Sequence, residues 1–132
     1  MRSFIAVVVA AAATLAGCGA ATSAGKFHGD ESNVARTIDA YSSDGQGHDT
    51  AKICNLLFTP QLASKLGNCR SVVSSQLNSA DSFDLTVQSV KISGASAQAR
   101  VKSTANGKDR FDTLLLAHGS DGRWRISGLV AN

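Results

Sequence analysis

The segment Leu85-Thr86-Val87-Gln88-Ser89-Val90-Lys91-Ile92-Ser93-Gly94-Ala95-Ser96-Ala97-Gln98-Ala99-Arg100-Val101 decides the fold. Leu85 and Val87 alternate with polar residues, the phase slips at Ser89, and Val90 and Ile92 continue it. A period of two predicts a half-buried strand, and the slip predicts a bulge that bends it. Gly94-Ala95 predicts a turn, after which Ala97, Ala99 and Val101 form the apolar face of a second strand. Asn106-Gly107 is the strongest hairpin signal in the chain, because both residues accept the positive φ of a tight turn. Phe111, Thr113, Leu115 and Ala117 line one face of a third strand, while Leu114 and Leu116 make its other face apolar as well. Ser120-Asp121-Gly122 then turns the chain into a last strand carrying Trp124 and Ile126.

Upstream of Ala80 the period is helical. Val34, Ile38 and Tyr41 fall at i, i+4 and i+7, one stripe of an amphipathic helix, with Asp30 or Ser32 as its N-cap and Gly45 and Gly47 ending it. Asp49 caps a second helix that carries Ile53, Cys54, Leu57 and Phe58. Thr59-Pro60 places an N-cap before a proline at the first helical position, Leu62 and Leu66 follow as an apolar side, and Gly67 fits the C-terminal cap. A further helix begins near Cys69 and carries Val72, Val73, Gln76 and Leu77. Helices first and an antiparallel four-stranded meander afterwards predict an α+β domain. Val34, Ile38 and Tyr41 are expected to face Ala97, Ala99, Val101, Trp124 and Ile126.

The first residues have a different character. Arg2 precedes an apolar run from Phe4, which closes on Leu15-Ala16-Gly17-Cys18. A cationic residue, an apolar segment and small residues directly before a cysteine form a secretory signal of the lipoprotein type. The run is short of the about 20 apolar residues that a membrane-spanning helix needs. An ordinary secretory signal cleaved after an Ala-x-Ala triplet near Ala11–Ala13 is the alternative. The four residues closely resemble the bacterial lipobox, which implies diacylglyceryl attachment to the Cys18 thiol and cleavage before it. Residues 1–17 are then a signal peptide outside any fold, and the protein is expected to work outside the cytoplasm on a lipid anchor in the cell membrane.

Besides Cys18 the chain has only Cys54 and Cys69. In an oxidising compartment such a leftover pair reads as a disulfide. Their separation does not suit a Cys-x-x-Cys motif, and a metal site would have to recruit His28, His48 or His118 from scattered positions, so no metal or cofactor is implied. Without Arg2, 12 Lys and Arg face 10 Asp and Glu, a net charge of +2. The positive charges are dispersed and aromatic residues are few, which excludes a nucleic-acid platform. Arg100, Lys102, Arg110, Arg123 and Arg125 fall opposite the better apolar faces, and a solvated outer sheet surface is expected from them in preference to contact with anionic lipid headgroups. Residues 18–30, within which Gly19 to Gly29 lack periodicity, read as a flexible tether of about 18 Å typical span, with the domain occupying 31–132.

A helix containing Tyr41, Asp-x-x-x-x-Cys-x-x-Leu from Asp49 to Leu57, Thr59-Pro60, a second cysteine at 69, and Gly-x-Trp-x-Ile-x-Gly from Gly122 to Gly128 together resemble a known group. The chain is similar over most of residues 31–130 to small actinobacterial-type lipoproteins of the nuclear-transport-factor-two-like superfamily. That resemblance implies a cone, in which a curved antiparallel sheet wraps around a long N-terminal helix. The superfamily includes ketosteroid isomerase, scytalone dehydratase and polyketide cyclases beside many members without known catalysis.

An enzyme in such a cone needs a general base and a donor for a developing oxyanion. Tyr41, Asp39, Asp44, Asp112 and His118 are the candidates. Asp39 lies off the apolar stripe and is expected to be solvated. Asp112 is out of phase with Phe111 and is expected to pair with Arg110 or Arg125. His118, beside Gly119 at a strand end, is expected in solvent. No two of them form a dyad by spacing, so no catalytic residue is assigned, and Tyr41, Asp112, His118 and Trp124 are taken as pocket-lining. The function expected is a non-catalytic, membrane-tethered domain that binds an apolar small molecule or an envelope protein. The alternative is a cone enzyme of the isomerase, dehydratase or polyketide-cyclase type. Leu114 and Leu116, on the outer side of their strand in this reading, are expected either to be covered by a loop or helix or to mark a homodimer interface through the sheet face.

Replacing Cys18→Ala should abolish acylation. Metabolic labelling with a radioactive fatty acid should mark the natural chain and leave the variant unmarked.

Overall fold

A computed structural model describes residues 23–80, 82–105 and 107–131. Cys18, the signal segment, the first part of the tether and Asn106 lie outside the described residues. Helix α1 (Asp30–Gln46) is followed by a short helical turn α2 (Thr50–Lys52) that widens into a π-turn over Ile53–Leu57. Helices α3 (Pro60–Lys65) and α4 (Cys69–Ser79) come next, and then β1 (Leu85–Ser93), β2 (Ser96–Ala105), β3 (Lys108–His118) and β4 (Trp124–Ala131). The strands form one antiparallel sheet in the order β1-β2-β3-β4. This is the expected α+β class with its curved four-stranded sheet.

The sheet bends where the sequence slips. The β1–β2 register shifts between Val87 and Ser89. A second shift lies between Leu115 and Leu116, where β3 meets β4. Each irregularity increases local twist, and the concave side closes over α1. Val34, Ala35 and Ile38 are fully buried there with Val87, Ala97, Ala99, Val101, Leu114, Leu116, Trp124 and Ile126 in a single core. Ala97 and Ala99 serve close packing, since both are buried in that core and neither lines the cavity beside Tyr41. Among the described residues, the buried apolar core runs from Val34 to Ile126.

Capping follows side-chain chemistry with one exception. Asp49 accepts from the Lys52 amide, Thr59 from Leu62 and Asn68 from Ser71, at 3.1 to 3.2 Å. The exception is α1, whose N-cap is Gly29 at φ 61°, with neither Asp30 nor Ser32 in that place. Asp30 and Glu31 instead occupy the first turn, where the helix dipole favours negative charge. Gly45 does not end α1 either. It is buried within the last turn because the Phe83 ring lies where a Cβ would stand.

Three further expectations are corrected. The tether does not extend to residue 30: Ser23 is buried, a 3-10 turn spans Ala24–Lys26, and this segment is docked on the domain. Asp39 is the reason, and it is not solvated. Its carboxylate accepts from the Ser23 amide at 2.8 and 3.0 Å and from the Ala24 amide at 3.0 Å. The Ser23 hydroxyl in turn accepts from the Val87 amide at 2.9 Å, at the β1 bulge.

The third correction concerns the faces of β3. Leu114 and Leu116 are buried in the core, whereas Phe111, Thr113, Leu115 and Ala117 are half-buried. Cross-strand partners share a face, and Ala99 pairs with Leu114 and Ala97 with Leu116, so the alanines under α1 draw both leucines inward. The homodimer reading loses its two leucines. Arg110 and Asp112 have the same parity and belong to the inner side, while Arg100 and Lys102 stay on the outer one, where the Arg100 guanidinium lies 4.9 Å from the Phe111 ring centre.

Cys54 and Cys69 form a disulfide with Cα atoms 6.1 Å apart, joining the π-turn to the first residue of α4. Closing a 15-residue separation stabilises the domain by about 3 kcal/mol in the chain-entropy account. The double replacement Cys54→Ser and Cys69→Ser should therefore lower the unfolding free energy in urea by about 3 kcal/mol. Alkylation without reductant should find no free thiol at either position of the natural chain.

Candidate functional site

Tyr41 is positioned by α1 and held between two rings. Its centroid lies 5.6 Å from that of Phe58 and 5.1 Å from that of Phe83, the latter edge-on. Phe83 reaches Tyr41 because Gly45, one turn further along α1, leaves its ring space. Ser42 fixes the same end of the helix by accepting from the Leu85 amide at 2.9 Å. Beyond this cluster the cone is hollow. A pocket of about 380 Å³ opens between the C-terminal half of α1, helices α3 and α4, and the inner faces of β2, β3 and β4. Its wall is mainly apolar, from Phe58, Leu62, Leu66, Phe83, Val101, Leu114, Ile126 and Leu129.

The polar groups lie among that wall. Tyr41 lines the pocket, and its hydroxyl makes no hydrogen bond with any described residue. Burial pushes its pKa upward because the phenolate would lose solvation there. Asp112 also lines the pocket and pairs with Arg110, Nε to Oδ2 at 3.0 Å. The Asp112 side chain is 14% exposed and that of Arg110 66%, so the pair spans the step from the wall to solvent. Both carboxylate oxygens face Nε, which leaves the two terminal nitrogens of Arg110 without a partner among the described residues.

His118 and Trp124, read from sequence as lining the same pocket, lie elsewhere. Trp124 is core: its carbonyl accepts from the Thr37 hydroxyl at 3.0 Å, and its buried indole N–H has no partner among the described residues. His118 is exposed, as expected for a strand end, and its ring centre lies 4.9 Å from that of Trp124. It borders a second, more polar cleft of about 750 Å³ between the Cys54–Ala63 segment and the β3–β4 turn. There Arg125 holds Asp121 with two hydrogen bonds, Nη1 to Oδ1 at 3.0 Å and Nη2 to Oδ2 at 2.6 Å, keeping its carboxyl well below the usual range. Sequence reasoning thus brought together four residues of which the tertiary structure joins only Tyr41 and Asp112.

Two parts of the pocket were not read from sequence. Phe83 precedes β1 in a polar stretch without periodicity. Gly128 and Leu129 follow the bulge in β4, which shifts the phase after Ile126 and returns Leu129 to the side of its partner Leu114. The Ser127-Gly128 pair was the available hint, of the same kind as Ser89 in β1.

No protein-family model matches the chain, and no curated protein does. Solved structures do. A SEC-C motif-containing protein from Rhodopseudomonas palustris is similar over 73% of this chain and 76% of its own, with a TM-score of 0.60 at 15% identity. A protein from Campylobacter jejuni described as a nuclear-transport-factor-two-like transpeptidase matches 73% of this chain and 98% of its own, with a TM-score of 0.51 and 15% identity. A candidate ketosteroid isomerase from Shewanella frigidimarina gives 0.46 at 16% identity, over 74% and 92% of the two chains. The fold is the nuclear-transport-factor-two-like cone. At these identities the likeness extends to the fold alone.

Tyr41 yields a prediction with a definite sign. Its folded pKa is raised above the unfolded value, so its contribution to stability is fully present below about pH 10 and is lost as pH rises through the folded pKa. Tyr41→Phe should remove this alkaline loss. Urea unfolding of both forms on either side of pH 10 should show a steeper fall for the natural chain.

Proposed function

We propose that this chain is a cell-envelope lipoprotein, held to the membrane through Cys18, whose hollow cone binds a small and largely apolar molecule without transforming it. The single observation that carries the reading is the pocket itself: a mainly apolar wall that holds a phenol hydroxyl without a hydrogen-bond partner among the described residues. Such a site suits a ligand with an apolar body and a hydrogen-bonding group. Catalysis finds less support. Asp112 is committed to Arg110, His118 borders a different cleft, and Asp84, the other carboxylate on the pocket, is exposed and meets the Ser42 hydroxyl at 3.5 Å. The anchoring part of the proposal rests on the lipobox resemblance. With Ser23 docked on the domain, five backbone steps from Cys18 would hold the domain within about 17 Å of the lipidated cysteine.

One observation favours the enzyme as a second reading: Tyr41 and Asp112 do line one pocket. The two are separated by experiment on the chain from Gly19 to Asn132. Nile red, an uncharged dye that brightens in apolar surroundings, should bind saturably at one site per chain. Leu66→Trp, which fills the pocket from a half-exposed helix end, should abolish that binding. Tyr41→Phe should weaken it by about fivefold, the value of one hydrogen bond near 1 kcal/mol, and Asp112→Asn should leave it nearly unchanged. Dye uptake indifferent to Leu66→Trp refutes the pocket reading. Turnover of a cyclic ketone that is lost in both Tyr41→Phe and Asp112→Asn establishes the enzyme in its place.

A further inference from the structure

Three of the chain's few aromatic rings meet on one stretch of the cone cavity. Tyr41 stands between Phe58 and Phe83, tilted against the first and edge-on to the second, and all three line the cavity. The residue after Phe83 is a carboxylate. Asp84 is exposed, and Ser82, Phe83 and Asp84 line both this cavity and an adjoining cleft of about 290 Å³ beside Gly45 and His48. The carboxylate therefore stands where the two spaces meet solvent. Its Oδ1 accepts from the Ser42 hydroxyl at 3.5 Å, and no Lys or Arg among the described residues pairs with it. The other charges on the cavity, Arg110 and Asp112, offset each other. Two carboxylates thus share the lining with one guanidinium, which leaves a negative charge in excess.

We propose that the ligand of the cone is an organic ammonium ion, its apolar body in the cavity and its protonated amine at Asp84 beside the rings of Phe83 and Tyr41. This deepens the ligand-binding reading and rests on it. Aromatic faces attract cations through their quadrupole, and an unpaired carboxylate adds a Coulombic attraction of the same sense. An ammonium N–H can also donate to the Tyr41 hydroxyl oxygen, which has no partner among the described residues. An uncharged ligand would draw on the wall alone and gain nothing from Asp84. An anionic one would meet two terminal nitrogens of Arg110, but Asp112 already offsets that charge and Asp84 stands on the same cavity. The protein's overall charge does not create the preference. From Gly19 onward 12 Lys and Arg face 10 Asp and Glu, a net +2 that repels cations, so a preference for one is local.

Titration calorimetry of the chain from Gly19 to Asn132 with octylamine, octanol and octanoate tests this, since the three share a chain and differ in head charge at about pH 7. Octylamine should bind about tenfold more tightly than octanol, with octanoate weakest, and added salt should shrink the ratio. Asp84→Asn should bring the octylamine-to-octanol ratio close to one, and Asp84→Glu should keep it. Taking the ratio within each variant cancels any general change in the cavity, and circular dichroism should show both variants folded. A natural chain that binds octylamine no better than octanol overturns the proposal, as does a ratio that Asp84→Asn leaves unchanged. Octanoate binding foremost also overturns it and gives the site to Arg110. Nile red or octanol bound at one site without a preference for the amine removes the ammonium and leaves the pocket reading standing. If neither the dye nor any of the three probes binds saturably, both readings fall.

Discussion

The burial of one helix stripe on the concave side of the sheet is the constraint on which the rest depends. Val34, Ala35 and Ile38 are wholly removed from water, and the strands can cover them only by curving. The polar side chains of α1 then fix the helix within that curve. Thr37 bonds the Trp124 carbonyl at the start of β4, Ser42 the Leu85 amide at the start of β1, and Asp39 the amides of Ser23 and Ala24. Each of these backbone groups would otherwise need a partner at an element end or at an edge. Hydrophobic burial has no preferred direction, and these hydrogen bonds supply the direction.

The cavity is a consequence of where that packing stops. Along most of α1 small residues let sheet and helix meet, as Ala97 and Ala99 show. Near Tyr41 the filling changes to aromatic rings, tilted at Phe58 and edge-on at Phe83, that leave space between the sheet and helices α3 and α4. The disulfide and the π-turn hold Phe58 on that side, and Gly45 admits Phe83 on the other. Of the charged groups around this apolar space, Asp112 and Arg110 are paired with each other, while Asp84 stands exposed beside Ser42. Arg110 neutralises Asp112 at the wall, and Arg125 neutralises Asp121 in the separate cleft. The commitment of Asp112 to Arg110 is what the proposal of binding without chemistry draws on.

Much of the fold was legible in the chain. The change of period after Ala80, the slip at Ser89, the caps at Asp49 and Thr59 and the Cys54–Cys69 pair all describe local chemistry or strong patterning, and the structure follows them. The misreadings share a cause. Leu114 and Leu116 alternate with Leu115 in a run apolar on both sides, and nothing within β3 says which side is inward. Asp39 was read as solvated because its partners, the Ser23 and Ala24 amides, lie about four helical turns away in sequence. The same distance made Ser23–Gly29 read as free tether.

The sequence by itself determined the order and type of the elements, the bulge in β1, the caps and the cysteine available for a disulfide, because each depends on neighbours within a few residues. It also carried the resemblance to a lipobox on which the proposed anchoring rests. Only the tertiary structure decided which face of β3 is buried, that His118 and Trp124 lie away from Tyr41, and that a cavity remains. Those outcomes depend on the register between strands and on how closely a helix approaches a sheet. A single bulge in β4 is enough to return Leu129 to the pocket side, and no local pattern encodes the cross-strand pairing that makes this so.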